Sequence, residues 1–245
     1  MYLWIIAAVA AYFIKGLCGF ANTLVFTSIL SFGASNANIS PIDLLLGYPT
    51  NLVLTWKNRK SLDPKVYLPL AALVLAGSIP ASLEQTTYER ILARLEGRGV
   101  RAVVDATRDL LVNVLRYRPF LIKPNNHELS EITGVKLTTD REIAAAAKMM
   151  QDKGARNVLV SMAGDGALLL DEQGGVHRIG CPKGKVVNSV GAGDSMVAGF
   201  VAGYQQSGGD YEAALRLGTA CGSATAFSLG LATKADIDKL LKTME

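Results

Sequence analysis

Apolar and polar residues are patterned in two different ways along this chain. After residue 73, short apolar runs typical of strands buried on both faces are separated by longer segments with apolar residues at helical spacing. The short runs predict strands at 73–76, 101–106, 120–123, 157–161 and 167–171. The longer segments predict helices at 87–96, 140–152, 193–204, 211–227 and 234–244. This alternation indicates a doubly wound α/β sheet, whose ligand sites lie beyond the carboxyl ends of the strands.

The first 72 residues follow the other pattern. Residues 2–34 are almost unbroken in apolar and small side chains, with Lys15 as the one charge, and 42–56 and 66–76 are shorter apolar runs. A helix needs about 20 apolar residues to cross a bilayer, so the first run is long enough and the others are marginal. We therefore expect two to three membrane-type apolar helices before the sheet. The whole chain would then associate with a membrane through residues 2–34, with its later part in the cytoplasm.

The charged residues divide the chain in the same way. Residues 1–80 hold seven of the charged side chains and +3 of the formal net charge of +4, so the later part is nearly neutral. A nearly neutral segment lacks the basic surface that nucleic-acid binding requires, and we expect no nucleic-acid partner. The three cysteines are widely spaced and odd in number, which favours reduced thiols. The two histidines belong to no cluster with transition-metal spacing.

The clearest chemical signal lies in residues 188–200. There the turn Gly191-Ala192-Gly193 precedes Asp194 and the apolar start of a predicted helix. Free backbone N–H groups at a helix N-terminus can hold an anion, and the neighbouring carboxylate is suited to act as a base. Phosphoryl transfer to a hydroxyl needs such a pair. A tight turn with Asp194 as an ordinary first-turn residue explains the same residues, and is the more common outcome for an isolated glycine motif.

Three further sets of residues each have two interpretations. Asn125 and Glu128 lie three apart, where an amide and a carboxylate can order water molecules bound to Mg²⁺. The same spacing fits a capping box at the start of a helix, and the two readings are compatible. Gly164 and Gly166 would admit close approach of a nucleotide or form a plain turn between strands. Asp105 ends a predicted strand and either faces the site or caps a helix.

Four segments together resemble the ribokinase/PfkB family of sugar kinases, and within it most closely the bacterial 1-phosphofructokinases. Residues 188–200 match the family's C-terminal signature, and 120–129 resemble the segment with its Asn-x-x-Glu motif. Residues 161–167 are similar to the nucleotide-side glycine turn, and 75–80 to a strand end near the sugar. The segments occur in the family's order, and the resemblance covers the chain from about residue 73 onward.

The resemblance implies a ribokinase-like fold and ATP-dependent phosphorylation of a sugar phosphate, fructose 1-phosphate, with Mg²⁺. Asp194 would be the general base, and the amides of Gly191, Ala192 and Gly193 would stabilise charge on the transferred group. Glu128 would hold Mg²⁺ through water. The residues implied for the nucleotide are Asn125, Glu128, Ser161, Ala163, Gly164, Gly166 and Gly193. Those implied for the sugar are Gly77 and Ser78.

The start of the chain resembles a different family, the TauE/SafE membrane transporters. The glycine-rich sequence that begins at Lys15 would break a helix, and broken helices at membrane depth line polar cavities. We therefore expect a transmembrane, transporter-like fragment at 1–72, joined near 73–80 to the C-terminal part of a kinase at 73–245. Recombination, an error of sequence assembly and an engineered splice each account for such a chimeric join.

Three classes of function follow from this reading. An ATP-dependent sugar-phosphate kinase is favoured, and the alternatives are a transporter fragment and a membrane-tethered nucleotide-binding module without turnover. The resemblance also implies that the opening part of a complete kinase, with its lid and most sugar contacts, has no counterpart in residues 1–72. Because aligned binding of the sugar lowers the barrier to transfer, we expect turnover by this chain to be weak.

Overall fold

The computed structural model describes residues 72–77 and 84–244. The predicted membrane-type runs at 2–34 and 42–56, and residues 66–71 of the third run, lie outside these residues. Within the described part of the chain, none of the helices has the length and apolar character needed to cross a membrane. The transporter-like fragment at 1–72 and the join near 73–80 therefore stay predictions.

Among the described residues, six strands form one mixed sheet, in which the order across the sheet equals the order along the chain. The strands are β1 (Ala72–Ala76), β2 (Arg101–Asp105), β3 (Leu121–Ile122), β4 (Asn157–Ser161), β5 (Ala167–Leu170) and β6 (Val176–Ile179). Strands β1 to β4 are parallel, whereas β5 and β6 pair antiparallel. The last two connections are only a few residues long, too short for the crossover that a parallel pair requires.

The described helices are seven α-helices and two short 3₁₀ turns. The α-helices are α1 (Thr87–Leu95), α2 (Arg108–Val114), α3 (Asn126–Thr133), α4 (Asp140–Asp152), α5 (Ala192–Gln206), α6 (Tyr211–Ala226) and α7 (Lys234–Leu241). The 3₁₀ turns are Leu115–Tyr117 and Ala163–Asp165. Helices α1 to α4 lie in the connections between parallel strands, and α5 to α7 follow the sheet in the chain.

The sheet is covered by helices on both faces. Successive residues of a strand point to opposite faces, so Val104 and Val158 pack with the core formed by α1 to α4. Their neighbours Val103 and Leu159 pack instead with α5 and α6. Burial on both faces explains the nearly continuous apolar runs of these strands. The predicted α/β architecture with two covered faces is therefore confirmed for the described part.

The structure contains two elements that the sequence pattern does not predict, strand β6 and helix α2. In β6 the residues alternate between exposed and half-buried, with Val176 about half exposed, so the strand has no apolar run. Residues 173–175 lie in the short connection between the antiparallel strands β5 and β6.

Candidate active site

A buried ion pair lies at the carboxyl ends of two neighbouring parallel strands. Asp105 is the last residue of β2, and Lys123 directly follows β3. The Lys123 Nζ atom lies 3.1 Å from Asp105 Oδ2, and the two side chains are only 7% and 17% exposed. Burial raises the pKa of Asp105, the positive charge of Lys123 opposes that rise, and the negative charges of Asp194 and Glu128 add to it. The pair therefore lies within electrostatic reach of both predicted carboxylates.

The first turn of α5 offers unpaired backbone donors. Gly191 is the residue before the helix and has φ +80°, a left-handed conformation that favours glycine. The N–H groups of Gly191, Gly193 and Asp194 have no hydrogen-bond partner among the described residues. The Ala192 N–H, however, donates to the carbonyl of Ser189 at 3.2 Å. The prediction that all three amides of 191–193 are free is therefore wrong for Ala192, because the turn closes on that amide.

These two features lie against each other. A Cβ atom added to Gly193 would be 3.4 Å from Lys123 Nζ and 3.8 Å from Asp105 Oδ2. The buried ammonium group therefore faces the N-terminal turn of α5, whose own dipole is positive at this end. Asp194, in the same turn, is exposed. An anion bound to the free amides would thus lie beside a cation that is already in place, with a solvent-accessible carboxylate nearby.

Asn125 and Glu128 form the capping box of α3. The Asn125 Oδ1 atom accepts from the Glu128 N–H at 2.8 Å, and Glu128 Oε2 accepts from the Asn125 N–H at 2.8 Å. The capping interpretation is therefore confirmed. It leaves Glu128 Oε1 with no hydrogen bond among the described residues, and both side chains line the same cleft as Lys123. A carboxylate oxygen open to a cleft fits the preference of Mg²⁺ for oxygen ligands and water.

The predicted nucleotide-side turn follows β4 on the same side of the sheet. Ser161 ends β4, and the 3₁₀ turn after it starts at Ala163, whose φ is +47°. Gly166 has φ +92°, and a Cβ atom there would overlap the carbonyl oxygen of Ile179. Gly164, by contrast, has open space around its Cα atom. The glycine at 166 is thus required by the turn, whereas the one at 164 leaves the cleft open.

A cleft of about 700 Å³ brings most of the predicted site residues together. Its lining includes, of the predicted residues, Asn125, Glu128, Ser161, Ala163, Gly164, Gly166, Ala192 and Gly193. The opposite wall comes from α6, where Thr219, Gly222 and Ser223 line the cleft with Phe227 just beyond the helix. A Cβ atom on Gly222 would lie 3.0 Å from the Ala192 carbonyl oxygen, so this glycine also allows close packing of α6 on α5.

Gly77, one of the two residues predicted to contact the sugar, is not part of this lining. Gly77 follows β1, has φ +84° and donates its N–H to the carbonyl of Asp105 at 2.9 Å. Its carbonyl accepts from the hydroxyl of Tyr88 at 3.2 Å. Ser78 lies outside the described residues. The role of both residues at the sugar stays a prediction.

Sequence reasoning left one central residue out of the site. The sequence pattern gives Lys123 no separate role within the segment 120–129, yet its ammonium group lies closest to Gly193, in the first turn of α5, among the surrounding side chains. A signal was present, since a lysine ends an otherwise apolar strand and is followed by Pro124. A buried lysine needs a partner, so its burial would have pointed to a nearby carboxylate.

Comparison with known proteins decides the family. The model of the pfkB family carbohydrate kinases matches residues 44–238, which is most of the chain. The chain belongs to the pfkB family of carbohydrate kinases. The match to this family begins within the segment predicted to be transporter-like, so residues 44–72 are covered by both assignments.

Several pfkB-family relatives are similar over the same region. The 1-phosphofructokinase of Bacillus subtilis is 47% identical over 169 residues, covering 69% of this chain and 55% of the relative. The D-tagatose-1-phosphate kinase of Bacillus licheniformis is 38% identical over 172 residues, covering 70% and 55%. The chain thus spans about half the length of the curated relatives it matches.

Solved structures show the same fold. The phosphofructokinase-2 of Escherichia coli, in complex with substrates and products, has a TM-score of 0.65 and 29% identity, covering 71% of this chain and 57% of that one. The ribokinase of Arabidopsis thaliana, complexed with ribose and ATP, has a TM-score of 0.59 at 22% identity, covering 74% and 59%. The ribokinase-like α/β fold with a mixed sheet is therefore confirmed.

Proposed function

We propose that the chain binds Mg-ATP in the 700 Å³ cleft and directs the γ-phosphoryl group toward Asp194, for transfer to a hydroxyl group of a sugar phosphate. One observation supports this function above the others. The start of α5, whose Gly191 and Gly193 amides have no partner among the described residues, lies beside a buried ammonium group, and the exposed Asp194 carboxylate lies in the same helical turn. Phosphoryl transfer depends mainly on positioning and on stabilising negative charge, and these groups serve both purposes.

Each group has a separate role in the proposed reaction. The N–H groups of Gly191 and Gly193, together with Lys123, bind the oxygens of the transferred group. The Asp194 carboxylate takes the proton of the sugar hydroxyl as that oxygen forms its bond to the γ-phosphorus. The bond from this phosphorus to the bridging oxygen breaks, and ADP leaves with the electron pair.

Glu128 and Asn125 are the residues that would hold Mg²⁺ at the cleft, through water. The bound ion supplies positive charge next to the phosphate oxygens. In the free protein, the carboxylate of Asp105 balances the positive charge of Lys123. The ammonium group is therefore already in position at the cleft to interact with the phosphates of a bound nucleotide. Water strongly weakens the electrostatic interactions of exposed groups, whereas the buried pair of Lys123 and Asp105 is largely shielded from water.

Fructose 1-phosphate is the proposed acceptor, because the 1-phosphofructokinase of Bacillus subtilis is 47% identical to this chain. A second relative, at 38% identity, is a kinase of D-tagatose 1-phosphate. Both names describe ketose 1-phosphates, so the two sugars serve as paired substrates in the test. The chain covers about half of either relative, and turnover is therefore tested separately from nucleotide binding.

The binding test is thermal unfolding of the full chain with Mg-ATP and with ATP plus a chelator. Ligand at 100 times its Kd adds about 2.7 kcal/mol, which for a chain of this size raises the Tm by about 5–10 °C. Omission of Mg²⁺ should reduce the rise. A folded protein whose Tm does not respond to millimolar Mg-ATP would rule out the proposed nucleotide site.

The transfer test measures ADP formed with each of the two sugar phosphates. Asp194→Asn should abolish the sugar-dependent ADP while keeping the Mg-ATP stabilisation, since the exposed side chain contributes little to the fold. Equal turnover by wild type and Asp194→Asn would contradict the proposed role of Asp194 as the general base. Binding without turnover on either sugar would favour a nucleotide-binding module over a kinase.

A further inference from the structure

A second cleft lies at the opposite end of the strands from the nucleotide cleft. It has a volume of about 260 Å³ and is lined by four arginines, Arg101, Arg116, Arg118 and Arg156, which define what we term the arginine cleft. Arg101 is the first residue of β2, whereas Asp105 at the nucleotide cleft is the last. The arginine cleft therefore cannot be an extension of the proposed active site.

Two of the four guanidinium groups have carboxylate partners and two do not. Arg116 pairs with Glu89, and Arg156 Nε lies 2.6 Å from Glu172 Oε2. The exposed Arg101 and Arg118 form no ion pair with any described residue, although the positive charge of Arg101 helps to lower the pKa of Glu172. The carboxylate of Glu96, also exposed, lies at the same cleft. The arginines outnumber the carboxylates around the cleft, which leaves a positive site.

An aromatic ring fixes two of the arginines. The guanidinium carbons of Arg101 and Arg156 lie 5.5 Å and 5.3 Å from the ring centroid of Phe120, which is only 3% exposed. Arg101 also lies 5.6 Å from the ring of Tyr204. A guanidinium group stacked on a ring keeps its N–H edges available, because the ring contacts its face. The donors of Arg101 are thus held in place before any ligand arrives.

The backbone at Arg118 supports the same conclusion. Arg118 has φ +50° and ψ +57°, a left-handed conformation that non-glycine residues adopt at an energetic cost. Its N–H donates to the Leu115 carbonyl at 2.9 Å, and Pro119 follows directly. Strain of this kind persists where the surrounding structure enforces it, and is often found at ligand sites. Here it brings an unpaired guanidinium group to the edge of the cleft.

We propose that the arginine cleft binds a small phosphorylated metabolite through its phosphoryl group. The donors come from β2, from the 3₁₀ turn region and from the start of β4, so they approach from several directions. A tetrahedral phosphoryl group presents oxygens in several directions, whereas a planar carboxylate is met best by one fork. The volume lies below the usual range for larger organic ligands, so the ligand is compact.

The experiment titrates the full chain with inorganic phosphate at constant ionic strength and follows the Tm. Phosphate should raise the Tm of the wild type. The double variant Arg101→Gln/Arg118→Gln should need at least about tenfold more phosphate for the same rise, because it loses two charged donors. Citrate at the same ionic strength should stabilise the wild type less than phosphate does.

Two controls locate the effect. Arg141→Gln removes one exposed arginine of α4 and should leave the phosphate response unchanged. Repeating the titration with saturating Mg-ATP, which occupies the nucleotide cleft, should leave the difference between the wild type and the double variant in place. A double variant that responds like wild type, a response lost in Arg141→Gln, a difference that disappears with Mg-ATP present, or equal stabilisation by citrate would each overturn the proposal.

Discussion

Gly193→Ala should separate nucleotide binding from folding. The added methyl carbon would lie 3.4 Å from Lys123 Nζ, 3.6 Å from Lys123 Cε and 3.8 Å from Asp105 Oδ2. These are close to ordinary van der Waals distances, so the side chains need not move far. Alanine also has a higher helix propensity than glycine, by up to about 1 kcal/mol. We therefore expect the variant to fold normally, with a Tm equal to that of wild type or up to about 4 °C higher.

The effect on the nucleotide should have the opposite sign. The methyl group lies between the backbone of Gly193 and the Lys123 ammonium, where a phosphate oxygen would contact both. Loss of one charge-assisted hydrogen bond costs about 1.5–3 kcal/mol, so the Kd for Mg-ATP should rise by about one to two orders of magnitude. Isothermal titration calorimetry measures this Kd directly.

The matched control is Gly180→Ala, which adds the same methyl group after β6. A Cβ atom there has open space, and Gly180 does not line the nucleotide cleft. Its Kd for Mg-ATP should equal that of wild type. A folded Gly193→Ala variant that binds Mg-ATP as tightly as wild type would refute the placement of a phosphate between α5 and Lys123.

Two further predictions concern stability. Lys123→Met leaves the Asp105 carboxyl buried without its partner and should cost about 3–5 kcal/mol in urea unfolding, whereas adding Asp105→Asn should recover much of that loss without restoring Mg-ATP binding. Equal stability of the single and double variants would contradict the buried pair. Hydrogen bonds from the Thr138 hydroxyl and from the Thr138 and Thr139 N–H groups lower the pKa of Glu142 from 4.5 to about 2. The contribution of the Glu142 carboxylate to stability is thus complete above pH 4.5 and is lost as the pH falls toward 2. Glu142→Gln should therefore make the fall in Tm over that pH range shallower. An unchanged slope of Tm against pH would contradict this.

Periodicity predicted the elements whose burial pattern is strong. Strand β4 and helix α4 have the bounds that the sequence predicts, since β4 is buried almost throughout and α4 begins at a capping box. Helix α2 has seven residues, too few to display a helical period clearly. The polar His177 and Arg178 interrupt β6, which explains why no strand was predicted there.

The candidate site likewise contains local features that the sequence predicts and features that depend on the tertiary structure. The turn before Asp194 is local, so the order of its residues indicates an anion site directly. The pair of Asp105 and Lys123 depends on which strands become neighbours, and no pattern within either strand encodes that pairing. The hydrogen bond of Ala192 to Ser189 depends on how the turn closes, which residue spacing does not specify.

The capping box of α3 affects how variants of Glu128 are to be interpreted. One carboxylate oxygen of Glu128 holds the start of the helix, and the other has no hydrogen-bond partner among the described residues of this cleft-lining side chain. Glu128→Ala removes the helix cap together with the charge, so a weaker enzyme would not reveal which loss was responsible. Glu128→Gln retains an oxygen that can accept from the Asn125 N–H and removes only the charge. Comparison of these two variants therefore separates the cost of a frayed helix from the cost of a lost negative charge at the proposed Mg²⁺ site.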